Sequence, residues 1–587
     1  MKKEIEELRK VMCREKVYAV IVPTSDYHSS EYVSSHFKLR EYLSGFTGSA
    51  GTLVVTLDSA ALWTDSRYFL QAERELSGSG IELMKMGENS TPKIEKFLLE
   101  KMPENSVLGF DGRTLSYEFV KRLSKTLSEK NISLSAETDF GELVWEDRPP
   151  LSAKPVFELS EGICGVSRAE KLMQIREKLK EENADCLVVS ALDEIAWTLN
   201  LRGNDIDFCP LFLGFMMIFS GDETTKLFSD KTAFSNEIIG KLKADGVEIY
   251  GYNDIYSALS AFRGTLWINE GASNFRLVSS AKNAKIINKP SPVELMKAIK
   301  NPTEILCEKN AHLKDGVAVT RFMKWLKTAV LSEKITELSA AEKIGYFRKQ
   351  GENYLGESFA PIMAYGAHGA IVHYSADEST NAVIEPRGML LSDTGGHYLD
   401  GTTDITRTFV LGEITEEEKR AFTLVLAGHL NLLGAKFPEG IRGSCIDYAA
   451  REPQWQYGLD FGHGTGHGVG FLLNVHEGPQ RISCRAQNDA PIKAGMITSD
   501  EPGIYIAGKY GIRHESLLLC EKDENDGFLR FSPLTLVPFD RDGIDKRYLT
   551  PRQLELLNDY HRLVFEKLSP LLGEEEKKWL EKATAPI

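Results

Sequence analysis

Ile5, Leu8, Val11 and Met12 recur at helical spacing among charges, so the start of the chain predicts a surface helix. It lacks the apolar stretch that heads a secretion signal. Val17 to Val22 is a short apolar run closed by Pro23, Thr24, Ser25 and Asp26, the pattern of a buried strand entering a turn. The same pattern returns downstream, where ADCLVVSALD aligns with YAVIVPTSD and Asp193 falls on Asp26, 167 positions apart. A match this short also arises by chance; read as a repeat, it predicts two mixed α/β domains in tandem.

Asp147 to Pro155 is proline-rich and short of large apolar residues, as a linker is. Asn288 to Pro302, with Pro290, Pro292 and Pro302, marks a second boundary. These breaks divide the chain into residues 1–155, 156–301 and 302–587. In the last part, Val319, Phe322, Met323 and Leu326 line the inward face of a helix. Thr415 and Glu418 form a capping box opening another, with Phe422, Val425, Leu426 and Leu433 on its apolar side. Strand-like runs cover Gly388 to Asp393 and His397 to Phe409, and the chain beyond Pro551 is helical, an α+β pattern.

Composition narrows the class. Of 587 residues, 42 % are apolar and 26 % charged, which excludes whole-chain disorder. The net charge of −15 disfavours nucleic acid as a partner, since phosphate neutralisation needs a basic surface. The longest nearly unbroken apolar run, Cys209 to Phe219, falls short of the ~20 residues that a membrane span needs. The eight cysteines are scattered without a C-x-x-C, so neither a disulfide framework nor a thiolate zinc site is expected. A reducing, cytoplasmic setting fits.

Eight of the twelve histidines fall between residues 368 and 514, which is where chemistry is to be sought. Asp393 and Asp404 lie on two strands joined through a Thr-Gly-Gly turn, close enough in sequence for a hairpin to bring them together. Like charges so placed repel unless a cation lies between them. Taken alone, the pair is also a solvated turn aspartate and an exposed strand aspartate, and Asp400 has similar standing. FGHGTGHGVGFLLNVHEGP carries His463, His467 and His476. Its alternating glycines oppose a regular helix, and no Glu follows His463, so the helical zinc-protease motif is absent. An irregular segment presenting imidazoles at close range is expected, the alternative being a flexible glycine-rich loop. Glu501 stands at a strand end before Pro502. Glu515 lies on a strand, with Arg513 on the same face by period two. Each, singly, is also a surface charge. Together, two Asp, two Glu and one His make an oxygen-rich set suited to Mn²⁺, Co²⁺, Fe²⁺ or Zn²⁺. Four carboxylates balance two divalent ions, which can acidify a shared water and polarise a carbonyl.

The ordered set Asp393, Asp404, His467, Glu501, Glu515 resembles the dinuclear metal site of the pita-bread metallopeptidases. HGTGHGVG, NVHEGP and GAHGAIVHY narrow the resemblance to the proline-handling branch. LSGFTGSAGTLVVT and ALWTDSRYFLQAERE near the start, with LRFSPLTLVPFDRDGID and WLEKATAPI near the end, are similar to three-domain aminopeptidase P of the cytosolic type.

This resemblance implies two tandem creatinase-like α/β domains followed by a pita-bread α+β catalytic domain that commonly dimerises. It implies two divalent ions, Mn²⁺ foremost with Zn²⁺ or Co²⁺ as alternatives, held by Asp393, Asp404, His467, Glu501 and Glu515. Glu501 would also be the general base. Glu515 would bridge the ions, with Arg513 orienting it. His373 and His476 would contact the scissile peptide, and His463 would line the pocket for a proline ring. The expected substrates are peptides with proline in second position, cleaved to release the first residue. Two departures from the family pattern, His368 and His514, touch no ligand and are expected to be neutral variants, the alternative being that His514 alters the electrostatics around the ligands. His397 and His429 are expected to be structural or surface residues. The nearest alternative is a dipeptide-limited prolidase, against which the length of the chain argues. A methionine aminopeptidase would need only the last part, and a non-catalytic peptide binder would be expected to have lost ligands.

Overall fold

The opening helix forms over Lys3–Glu15 and buries Ile5, Leu8, Val11 and Met12. This computed structural model describes residues 2–486 and 489–587. The chain separates into two units, Met1–Glu161 with Val166–Glu294, and Gly162–Gly165 with Leu295–Ile587.

The first unit holds two six-stranded sheets of the same topology. In the first, Ala19–Pro23 is central, antiparallel to Thr52–Thr56 and parallel to Val107–Gly109. In the second, Cys186–Val189 is central, antiparallel to Phe215–Phe219 and parallel to Gly264–Ile268. The short match around Asp26 and Asp193 is thus the visible trace of a repeated sheet. Its strands read as continuous apolar runs because both faces are covered. Helices Tyr117–Leu127 and Phe275–Ser280 occupy equivalent places in the two halves, capped by Ser116 and Asn274. These caps pair with each other as an isolated antiparallel bridge. Phe275 N donates to Leu115 O at 2.8 Å and Tyr117 N to Ser273 O at 3.0 Å. The Asn274 amide serves both halves: its Oδ1 accepts from Leu277 N and its Nδ2 donates to Tyr27 O at 2.7 Å.

In the second unit, Asn301 opens the 28-residue helix Pro302–Ala329 with a full capping box. Helix Glu416–Leu433 begins at the expected Thr415–Glu418 box. Its Phe422, Val425, Leu426 and Leu430 pack with Ile504, Ile512 and Leu518 in one core. Helices Pro551–Leu568 and Glu574–Ala583 close the chain. Three strands, Ile362–Tyr365, Met389–Thr394 and Ile405–Val410, form one antiparallel sheet. A six-stranded sheet contains Ser516–Lys522, Ile497–Asp500, Gly466–Gly468 and Glu477–Ile482.

Two expected strands are broken. His397 to Phe409 resolves into Gly396–Tyr398, Gly401–Thr402 and Ile405–Val410. The strand expected through Glu515 is two, Tyr510–Arg513 and Ser516–Lys522, in different sheets. Only Phe215–Phe219 of the apolar run Cys209 to Phe219 is a strand. None of the eight cysteines is in a disulfide. Among the described residues no helix is long and apolar enough to cross a membrane.

Candidate metal centre

The strand breaks lie where the acidic residues converge. Asp393 sits within its sheet, opposite Ile362 and Thr406. Asp404 lies in the break before Ile405, Glu515 in the break before Ser516, and Glu501 follows the end of Ile497–Asp500. His467 is held on the short strand Gly466–Gly468. That strand must run close to its neighbour: a Cβ on Gly466 would lie 2.0 Å from Ser499 O. Three groups result, each with ligand atoms within 4.8 Å of one another: Asp393, Asp404 and Glu515; His467, Glu501 and Glu515; Asp404, His467 and His476. Glu515, Asp404 and His467 are each shared by two groups. His467 Nε2 lies 3.5 Å from Asp404 and 3.6 Å from Glu501. Its Nδ1 meets Gly468 O at 2.9 Å, so Nδ1 carries a proton and Nε2 is the ring nitrogen that faces the acids.

Burial, then repulsion from Glu515 and Asp393, holds the Asp404 carboxyl well above the usual range. Burial and the Glu515 charge do the same to Glu501. Glu515 is pushed up to about 7 by burial and by Asp393. Asp393 Oδ1 is buried with no hydrogen-bond partner. A buried acceptor without a donor, amid carboxylates that resist ionising together, fits a site that takes divalent cations.

Arg513 behaves otherwise than expected. Its Nη2 pairs with Asp393 Oδ2, not with Glu515. It reaches Glu515 through Thr406: Nε donates to Thr406 Oγ1 at 3.1 Å, and that hydroxyl donates to Glu515 Oε2 at 2.8 Å. Arg513 Nη1 donates to the Tyr505 hydroxyl at 2.7 Å, which lies 2.8 Å from His463 Nε2. Since His463 Nδ1 is satisfied by Gly464 O at 2.8 Å, the phenol proton points to Nε2. His463 Nδ1 is also 3.8 Å from Glu501. His373 follows Val372, whose carbonyl accepts from Arg513 Nη2 at 3.5 Å.

Tyr505 escaped sequence reasoning. Its signal is the hairpin Gly503–Ile506 with Tyr510–Arg513, in which Gly503 opposes Arg513. Arg407 escaped too. Its Nη1 donates to Thr406 O at 3.0 Å and to Glu515 O, gripping the backbone of two acid-bearing segments. Its Nη2 donates to Val537 O and to the Tyr560 hydroxyl, both at 2.9 Å.

The remaining candidates fall outside the cluster. Asp400 pairs with Lys314 at 2.5 Å. His368 Nδ1 meets Glu337 at 2.8 Å and its ring stacks on Tyr374. His514 is buried between Phe422 and Phe539, and burial with the nearby Arg407 charge holds it neutral. His397 bonds Thr402, and His429 meets Asp500 O at 3.0 Å.

Models of known families match along the chain. The creatinase/prolidase N-terminal domain matches residues 4–148 and 147–304, metallopeptidase family M24 residues 307–522, and the C-terminal region of M24 peptidases residues 527–587. Fold and site together define a metallopeptidase, a hydrolase of peptide bonds, with a pita-bread catalytic domain behind creatinase-like domains. The chain is 39 % identical to Xaa-Pro aminopeptidase 1 of Dictyostelium discoideum, with 100 % of this chain and 96 % of that protein covered. The crystal structure of X-prolyl aminopeptidase from Caenorhabditis elegans, described as a cytosolic enzyme with a di-nuclear active site, matches with TM-score 0.96 at 33 % identity over 100 % of this chain and 99 % of that one. The prolidase from Pyrococcus horikoshii matches 63 % of this chain and 99 % of its own, with TM-score 0.50 at 25 % identity. The chain belongs to the Xaa-Pro aminopeptidase (aminopeptidase P) family.

Proposed function

We propose that the chain removes the first residue from peptides with proline in second position, using two divalent ions held by Asp393, Asp404, His467, Glu501 and Glu515. The observation that carries this reading is the pair of ligand groups sharing Glu515, one completed by Asp393 and Asp404 and the other by His467 and Glu501. Bound there, the ions would acidify a water and polarise the scissile carbonyl. Glu501 accepts the proton of the attacking water on its carboxylate and delivers it to the departing proline nitrogen. His373 and His476 hydrogen-bond the scissile peptide and stabilise its developing oxyanion. His463, held by Tyr505, borders the proline ring, and Arg513 fixes Asp393. Proline offers no N–H to a peptidase, so ring contacts must replace the missing donor.

In the same reading the ions are Mn²⁺, with Zn²⁺ or Co²⁺ as alternatives, and the protein is a cytoplasmic homodimer without nucleic-acid or membrane partners. The domains are 1–155, 156–301 and 302–587. The cytosolic nematode relative supports the location and the repeated sheets support two like domains ahead of the third; Mn²⁺ and the dimer rest on the family resemblance alone.

A panel of Xaa-Pro-Yaa-Zaa, Xaa-Pro and Xaa-Ala-Yaa peptides, with Mn²⁺ and with chelator, tests the reading. Turnover is expected for the longer Xaa-Pro peptides alone and lost on chelation. Preference for the dipeptide would make the protein a prolidase. Full activity of Asp404→Ala would refute the metal assignment.

A further inference from the structure

Two buried lysines lie outside the machinery described so far. Lys297 and Lys300 stand at the start of the second unit, in the stretch that composition marks as a boundary, yet they are 3 % and 4 % exposed. Both reach one loop, residues 469–477, whose penultimate residue is His476. Lys297 Nζ pairs with Glu477 Oε2, and Lys300 Nζ donates to Val469 O at 2.5 Å. The loop closes around the Glu477 carboxylate. Glu477 Oε1 accepts from Asn474 N at 3.1 Å, and Asn474 O accepts from Gly470 N at 2.9 Å. A Cβ on Gly470 would lie 2.1 Å from Glu477 Oε1, and Leu472 adopts φ +45°.

An ion pair this deeply buried is a poor device for stability, because desolvation consumes most of its attraction. It is an effective device for fixing geometry, because a chain folded around a paired charge has few alternatives. The geometry it fixes is that of His476. The His476 ring meets His467 edge to face at 4.4 Å and groups with Asp404. It is therefore held to the cluster on one side and, through the next residue, to Lys297 on the other.

We propose that Lys297 and Glu477 are positioning residues that aim His476 at the scissile peptide, so that the start of the second unit forms part of the catalytic apparatus. This rests on the role given to His476 above.

The test is a set of holoenzyme variants, K297M, E477Q and H476A, each single and with K297M combined with H476A, assayed on one Xaa-Pro-Yaa-Zaa peptide with bound metal counted. K297M and E477Q are expected to lower kcat on the order of 100-fold, the cost of a slightly misplaced catalytic group. KM and metal content should change by less than about threefold, whereas loss of aim should dominate kcat. In the H476A background, K297M should cost less than about twofold, because residues acting through one another are not additive. If the single variants do not fold, K297M/E477L removes both members of the pair together, leaves Lys300 to the charges of Glu304 and Glu308, and should show the same kcat loss and the same dependence on His476. H476A with full turnover would sink the role of His476 and this inference with it. A crippled H476A whose loss multiplies with that of K297M would sink this inference alone, as would K297M with unchanged kcat.

Discussion

Tyr560→Phe removes one oxygen from behind the metal centre and tests how far the C-terminal segment supports it. The hydroxyl is buried and accepts from Arg407 Nη2 at 2.9 Å and from Val537 N at 3.2 Å. It donates to Val537 O at 2.9 Å or Thr535 O at 3.0 Å. The ring stays, so no cavity of consequence forms. The lost bond to a charged donor is worth about 1.5–3 kcal/mol, and a stranded buried N–H about 1–3 kcal/mol. Arg407 keeps Val537 O at 2.9 Å and Ser516 Oγ at 3.3 Å, so the lower halves of those ranges apply. The net expectation is about 2.5–4 kcal/mol of lost stability. Because Arg407 also grips the Glu515 carbonyl, part of this loss should reach the ligands, with Mn²⁺ binding about tenfold weaker for each 1.4 kcal/mol that arrives. Urea unfolding of the chelated protein gives the first quantity, and calorimetric titration with Mn²⁺ gives the second. A loss below about 0.5 kcal/mol with unchanged Mn²⁺ affinity would refute the view of Arg407 as a strut between this segment and the site.

Three further outcomes are expected. Burial and the charges of Arg407 and Arg541 depress the His561 pKa from 6.5 to about 3, while its Nε2 accepts from Phe539 N. The folded state therefore favours the neutral ring: this stability is complete above about pH 6.5 and drains as pH falls toward 3, about 2 kcal/mol of it by pH 5. His561→Gln should flatten that part of the pH profile in chelated protein, and an unchanged slope counts against it. Tyr505→Phe cuts the link between His463 and Arg513 and should lower kcat/KM about 10- to 100-fold with metal content intact, from about 1.5–3 kcal/mol of charge-assisted bonding; equal loss on proline and non-proline peptides would remove His463 from the proline pocket. Gly466→Ala drives a methyl to 2.0 Å from Ser499 O and should cost at least about 1–3 kcal/mol with loss of metal, read by thermal melting.

The five acidic and imidazole candidates were legible as an ordered set and through the family that set resembles, whereas local pattern alone left each of them an ordinary surface or loop residue. The repeat was legible at Asp26 and Asp193 only, since the other strands of the two sheets share topology but little residue pattern. Arg513 was found but attached to Glu515, because period two assumes an unbroken strand, and the break at His514 and Glu515 is set by two sheets meeting there. Asp400 could be set aside only once Lys314, 86 positions away in sequence, was seen to hold it. Arg407, Tyr505 and Lys297 were invisible for a related reason. Each is an ordinary residue locally and takes its role from partners such as Tyr560 at a separation of 153, or Glu477 at 180.

The seam between the like sheets has a consequence for the history of the chain. At Asn274 a single amide caps its own helix and holds the Tyr27 carbonyl of the other half. The two halves are tied at their equivalent points, each completing the other. Deleting either half, by mutation or by splicing, leaves the survivor with open backbone groups and with Tyr117 or Phe275 stripped of its stacking partner. Having two sheets thus offers no redundancy: the pair is inherited, and lost, as one.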